Sequence, residues 1–372
     1  MQSDLALVTN GLAPDGQHCL AFVANRAYRI VPGGRATPID EATPLACALT
    51  TDDPAFEPHK PLTDVLLTGT AHSTRGAVTD LETSVEVGAA RKRVRATGPR
   101  SIDLGGRGKL AFTSPEPFTE MPLSWDRAYG GRDRHAEGRL TPRRGFGALR
   151  EGPGPISYPR NEYGRGYFLD MDRERLQGAA LPNLEDPTDP VTPDRILSKT
   201  TLDWIDRPVA ACYEAIGVFT FPRAAFFIRP LFDTQTRPVH ELASGAVLAE
   251  DLTRHYEENA PRQPRVYNRA PAGLAVCRLT GRERVKLTNL HRERSQLDFD
   301  LPDDTPKLSL ELPGVGERRL QPTLSTVSIE PDAGRVVLTW AASIRVAMPY
   351  PEELTRSMRR TVRWERKGGS AQ

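Results

Sequence analysis

Long apolar runs are missing from this chain. No stretch approaches the roughly 18 residues that a membrane-spanning helix needs, so no membrane partner is expected. Neither charge sign dominates: 50 Lys and Arg stand against 48 Asp and Glu, a formal net charge of +2. That balance gives no global pull toward nucleic acid or an anionic bilayer, and no nucleic-acid partner is expected. Aromatic residues are only 7%, which argues against a carbohydrate- or nucleic-acid-binding module built on exposed stacking rings. Cysteine is scarce: Cys19, Cys47, Cys212 and Cys277 lie far apart and form no CxxC pair. Reduced, buried thiols are expected rather than disulfides or metal ligation. A signal-peptide pattern is also lacking. Asp4 precedes a short apolar patch at residues 5–8, and Asn10 and Gly11 follow at once, so a cytoplasmic protein is expected.

What the chain has in quantity is proline, 33 residues, and glycine, 30 residues, which disfavour long helices and favour short strands joined by turns. The predicted fold class is mainly β, with antiparallel, sandwich-like sheets at both ends, a loop-rich central segment and few short helices. Residues 64–72 read as one strand. In residues 81–87, Leu81, Thr83, Val85 and Val87 share a face, and a turn at Gly88 leads into the strand 91–97. Arg91, Arg93 and Arg95 on that strand are placed to pair across it with Glu82 and Glu86. A second β region follows at 285–290, 297–301 and 308–312. There 324–329 and 336–340 flank a Pro- and Gly-bearing turn at 330–334. Helices are predicted at 247–259, where Leu248, Leu252 and Tyr256 share a stripe, and at 351–360, with Pro351 first, acids early and bases late. Six positive residues between Arg356 and Lys367 read as a solvated helix end and the strand after it. A division into an N-terminal lobe, 1–235, that includes the loop-rich region 114–196, and a C-terminal lobe, 236–372, is expected, with the boundary near 232–244.

Motifs for chemistry are weak. The seven histidines include no HxxxH or HExxH pair, and Asp186, Asp189 and Asp194 lack calcium-loop spacing. The glycine-rich stretch 105–109 is not a P-loop, because no glycine stands at the upstream position and Leu110 replaces the hydroxyl. Ser244 has Leu242 where GxSxG needs glycine. No cofactor, metal or catalytic residue is therefore assigned.

Three phrases in the centre are distinctive: MPLSWDRAYGG at 121–131, YPRNEYGRGYF at 158–168 and LPNLEDP at 181–187. In this order and spacing they resemble a bacterial domain-of-unknown-function family found in type VI secretion clusters, beside the spike protein VgrG, PAAR-type spike tips and toxic effectors. Residues 64–69, 91–98, 286–290 and 299–302 resemble the strands of that family. The resemblance implies a non-enzymatic adaptor or chaperone that binds an effector toxin, a PAAR-type tip or VgrG, and it carries no catalytic residues.

The residues of these phrases admit two readings. In one, Trp125 and Tyr129 are a buried anchor, Gly130 and Gly131 end a turn, Arg127 pairs internally, and Asn161, Gly164 and Gly166 occupy left-handed or crowded backbone positions. In the other, Trp125, Arg127, Tyr129, Arg160, Asn161, Arg165, Glu185 and Asp186 face a groove that receives the partner, since arginine and aromatic side chains are common interface anchors. An alternative class, a hydrolase or carbohydrate-active enzyme, would use Glu162, Glu185 and Asp186 on loops over a β scaffold.

Overall fold

The computed structural model describes residues 5–12, 17–39, 60–105, 109–135, 157–169, 173–199, 206–217 and 268–366. Strands dominate, and two short α-helices, Pro193–Ile196 and Glu352–Ser357, occur among the described residues. The predicted helix 247–259 and the expected boundary at 232–244 lie outside the described residues.

The backbone of the molecule is a seven-stranded sheet. Its path runs Leu5–Leu12, His18–Arg29, Arg335–Arg345, Thr323–Glu330, Thr63–Leu67 and Ala275–Val276, with Thr37–Pro38 added beside His18–Arg29. All neighbours are antiparallel except Thr323–Glu330 and Thr63–Leu67, which run parallel. The early strand His18–Arg29 pairs over its whole length with the late strand Arg335–Arg345, Cys19 opposite Arg345 and Arg29 opposite Arg335. The same mixing occurs in a five-stranded sheet, where Asp80–Val87 lies between Ala90–Thr97 and Arg284–Thr288. Strands from both sides of residue 236 thus share both sheets.

Alternation explains the sheet faces. Val85, Val87, Val94, Val285, Leu287 and Phe299 point into the larger core with Val65, Leu67, Val327 and Leu338. Arg91 and Arg93 stay outside and reach Glu86 and Glu82 at 3.3 and 3.2 Å. Being exposed, these pairs contribute about 0–1 kcal/mol each. A second core forms where a three-stranded sheet, Gly316–Leu320, Asp304–Leu312 and Arg360–Arg366, covers the first strands of the large one. Leu308, Leu310 and Leu312 face Leu20, Phe22 and Ala24, while Lys307 and Glu311 face out.

Two expectations need correction. The segment 64–72 is two strands: Thr63–Leu67 belongs to the large sheet, and Thr70–His72 pairs with Glu120–Pro122. The switch falls at Thr68 and Gly69, whose backbone groups bond to Ile329 and Leu123 in different directions. Among the described residues Cys19 and Cys212 are buried, as expected, but Cys277 is exposed; Cys47 lies outside them. One internal pin ties the chain together: Lys60 and Asp64 form a fully buried ion pair at 2.7 Å. Lys60 also donates to Thr326 Oγ1 at 2.8 Å, and Asp64 accepts from the Asn268 side chain and the Arg269 N–H. Such a pair survives burial only when its remaining donors and acceptors are satisfied this way.

Candidate functional site

The three central phrases fold against one another into a hydrogen-bonded knot. Backbone crossings come first. Tyr129–Gly130 runs parallel to Arg165–Gly166, and Leu184–Glu185 extends the five-stranded sheet beside Ala90–Thr97. Glycine makes the crossings possible. A Cβ on Gly130 would sit 2.1 Å from the Asn161 carbonyl oxygen, and one on Gly131, at φ 102°, 2.4 Å from that of Gly164. These are approaches no side chain tolerates.

Side chains then lock the crossing. Asn161 is 3% exposed, and its amide donates to the carbonyls of Trp125 and Tyr129 at 2.8 and 3.2 Å. Tyr129, Tyr158 and Tyr167 are buried in one cluster, Tyr129 meeting Tyr158 edge-on with ring centroids 5.1 Å apart. Burial pushes the Tyr129 and Tyr158 phenols above their ordinary range, so they act as neutral donors. Tyr129 donates to the Ile196 carbonyl at 3.3 Å and Tyr158 to that of Pro208 at 2.8 Å. Trp125, first residue of the short 3-10 helix Trp125–Arg127, donates its indole N–H to the Ala215 carbonyl at 3.0 Å.

The charged residues of the phrases are largely engaged in local contacts. Arg165 donates to the Asp126 carbonyl at 2.8 Å and pairs with its carboxylate at 3.2 Å. Arg127 reaches Met121 Sδ at 3.6 Å, and Arg160 donates to the Tyr158 hydroxyl at 3.3 Å. Glu185 is 5% exposed, accepts from the Val191 N–H at 2.8 Å and lies 3.5 Å from Arg100. Asp186 closes its own turn by accepting from the N–H and hydroxyl of Thr188. Glu162 pairs with Arg132 at 2.7 Å. Of the eight residues expected at a groove, Tyr129, Asn161 and Glu185 are therefore buried, and the other five are tied locally. The carboxylates named for enzyme chemistry are each held in a different contact.

Several residues of this region carried no signal in the sequence. Glu214 accepts from the Trp125 N–H at 3.2 Å, and burial raises its carboxyl above the ordinary range. Cys212 donates to the Leu123 carbonyl at 3.2 Å, and burial pushes its thiol up to about 12, which keeps it an inert, neutral group. Burial also lowers the Lys92 ammonium, opposed by the nearby Asp186 carboxylate. Asp133, 1% exposed, pairs with Arg175 at 2.5 Å and accepts from the Leu169 N–H at 2.8 Å. Tyr163 is the outward exception. It is 66% exposed, on the turn between Asn161 and Arg165, and its backbone N–H is fixed by Asn161 Oδ1 at 3.3 Å. The neighbouring Glu162 carboxylate raises its phenol, which stays protonated near neutrality.

These observations define a mainly β protein whose central phrases, where described, form a hydrogen-bonded insert beside two large sheets. No helix among the described residues is long and apolar enough to cross a membrane. The chain belongs to a family described as an uncharacterized protein conserved in bacteria (DUF2169), whose model matches residues 15–341. No curated protein and no solved structure matches it.

Proposed function

We propose that the protein is an accessory protein of type VI secretion, an adaptor or chaperone. It binds an effector toxin or a PAAR-type spike tip in the cytoplasm and holds it for loading onto VgrG. The order and spacing of the three central phrases support this reading. The observation that carries it is Tyr163: a large amphipathic side chain, two-thirds exposed, on a turn whose backbone N–H is held by Asn161 Oδ1. A tyrosine presented this way contributes contact area and a donor with little ordering cost on binding. Flanking Glu162–Arg132 and Arg165–Asp126 pairs supply a polar rim around it.

Co-expression with effector, PAAR-type and VgrG proteins from one type VI cluster, followed by affinity purification, tests the reading. A stable complex with one of them is expected. Tyr163→Ala, which removes nothing from the core, is expected to weaken that complex about tenfold or more. Failure to bind any of the three classes, or binding indifferent to Tyr163→Ala, overturns the proposal.

A further inference from the structure

The molecule has a second surface of defined chemistry, far from the phrases in sequence. The outer face of the three-stranded sheet and the segment 278–280 line a cleft of about 1160 Å³. Register fixes its floor. Ser309 lies opposite Arg319 on one side and Thr361 on the other, and Lys307 lies opposite Arg363. Residues directly opposite share a face, so small hydroxyl side chains sit in the middle and long cations rise around them. Arg278 and Arg359 add to the lining, which holds these five cations against Glu311, Glu317 and Glu365.

Four of the five cations are not spent internally among the described residues. Lys307 pairs with Glu365 at 2.5 Å. Arg278, Arg319, Arg359 and Arg363 are exposed, and their side chains make no ion pair or hydrogen bond among the described residues. Trp340 also lines the cleft, but it is 4% exposed and its indole nitrogen is fully buried, so it closes the wall without offering a donor to the opening.

We propose that this cleft is a docking site for an acidic polypeptide segment of a partner protein. Aspartate and glutamate side chains would meet the exposed guanidiniums in bidentate pairs. Charge complementarity selects the occupant. Glu311 lies opposite Glu317, a pair of carboxylates that would repel a continuous phosphate backbone. A peptide of mixed sequence can place neutral or basic residues there. Among the described residues the lining holds one aromatic ring, the buried Trp340, which offers nucleobases no stacking platform. This surface stands apart from Tyr163, and either one can fail without the other.

The test uses the full chain and two fluorescently labelled synthetic peptides, one alternating glutamate and serine, the other with glutamine in place of glutamate. Binding is read by anisotropy at low and physiological salt, with a single-stranded oligonucleotide of matched charge as a third probe. The glutamate peptide is expected to bind, more weakly as salt rises, and the glutamine peptide to bind at least tenfold more weakly. Arg319→Glu with Arg363→Glu is expected to reduce glutamate-peptide binding about tenfold or more. Arg292→Glu with Arg294→Glu, the same charge change on a surface outside the cleft lining, is expected to leave it within about twofold. Unchanged circular dichroism and thermal midpoint show that both variants fold. Equal loss in the two double variants, tighter binding of the oligonucleotide than of the peptide, or no peptide binding at all overturns the proposal.

Discussion

Arginine does opposite things in two parts of this molecule. In the central knot, Arg165 is held by Asp126, Arg160 by the Tyr158 hydroxyl and Arg175 by the buried Asp133. Around the C-terminal cleft, Arg319, Arg359 and Arg363 stand on the exposed face of a sheet with no partner among the described residues. The knot is the richer in sequence signature, yet most of that signature maintains the knot itself. The cleft has almost no signature, but four of its five cations make no ion pair among the described residues. A motif dense in arginine, glycine and asparagine is therefore first a way to cross backbones without a regular sheet. Availability to a partner depends on which carbonyls and carboxylates the fold brings within reach.

The comparison can be broken most sharply at the crossings. Gly131→Ala places a methyl group 2.4 Å from a carbonyl oxygen at positive φ, and is expected to cost on the order of 3 kcal/mol or more. A urea unfolding midpoint close to that of the parent would show that the knot is loose. Asn161→Ala removes two bonds to buried carbonyls and is expected to cost about 2–3 kcal/mol by the same measurement. An effect below about 0.5 kcal/mol would remove Asn161 from the frame.

The smallest effect depends on pH. The folded Glu214 carboxyl is raised above its ordinary value by burial, so the folded state binds its proton more tightly than the unfolded chain. Its contribution to stability is complete below the unfolded pKa and is lost as pH rises through the folded one. Glu214→Gln keeps an acceptor for the Trp125 N–H and cannot ionise. The stability of this variant relative to the parent is expected to rise between pH 4 and pH 7. A difference that is flat with pH would show that the carboxyl is solvated.

The strands with one wet face were legible in the sequence. Residues 80–87, 296–300 and 304–312 alternate because one side of each meets the core and the other meets water. His18–Arg29 was not legible: it is buried almost throughout, and a strand covered on both faces shows no period. Gly164 and Gly166 were anticipated at crowded or left-handed positions, but Gly130 and Gly131, read as the end of a turn, sit at the backbone crossing itself. The partners of the arginines were not anticipated, because Asp126 and Arg165 meet only after the chain has folded back. Tyr163 carries no mark that separates it from Tyr158 and Tyr167, and only the turn at 162–164 sends it outward.

One consequence of the mixed sheets concerns the order of assembly. When the ribosome has made the hairpin of Leu5–Leu12 and His18–Arg29, the neighbour that completes it, Arg335–Arg345, does not yet exist. The apolar surface of Leu20 and Phe22 must wait for almost the whole chain to emerge. Pairings this distant along the chain close slowly and leave adhesive edges open meanwhile. Release of truncated products is expected to yield aggregates rather than a folded N-terminal half.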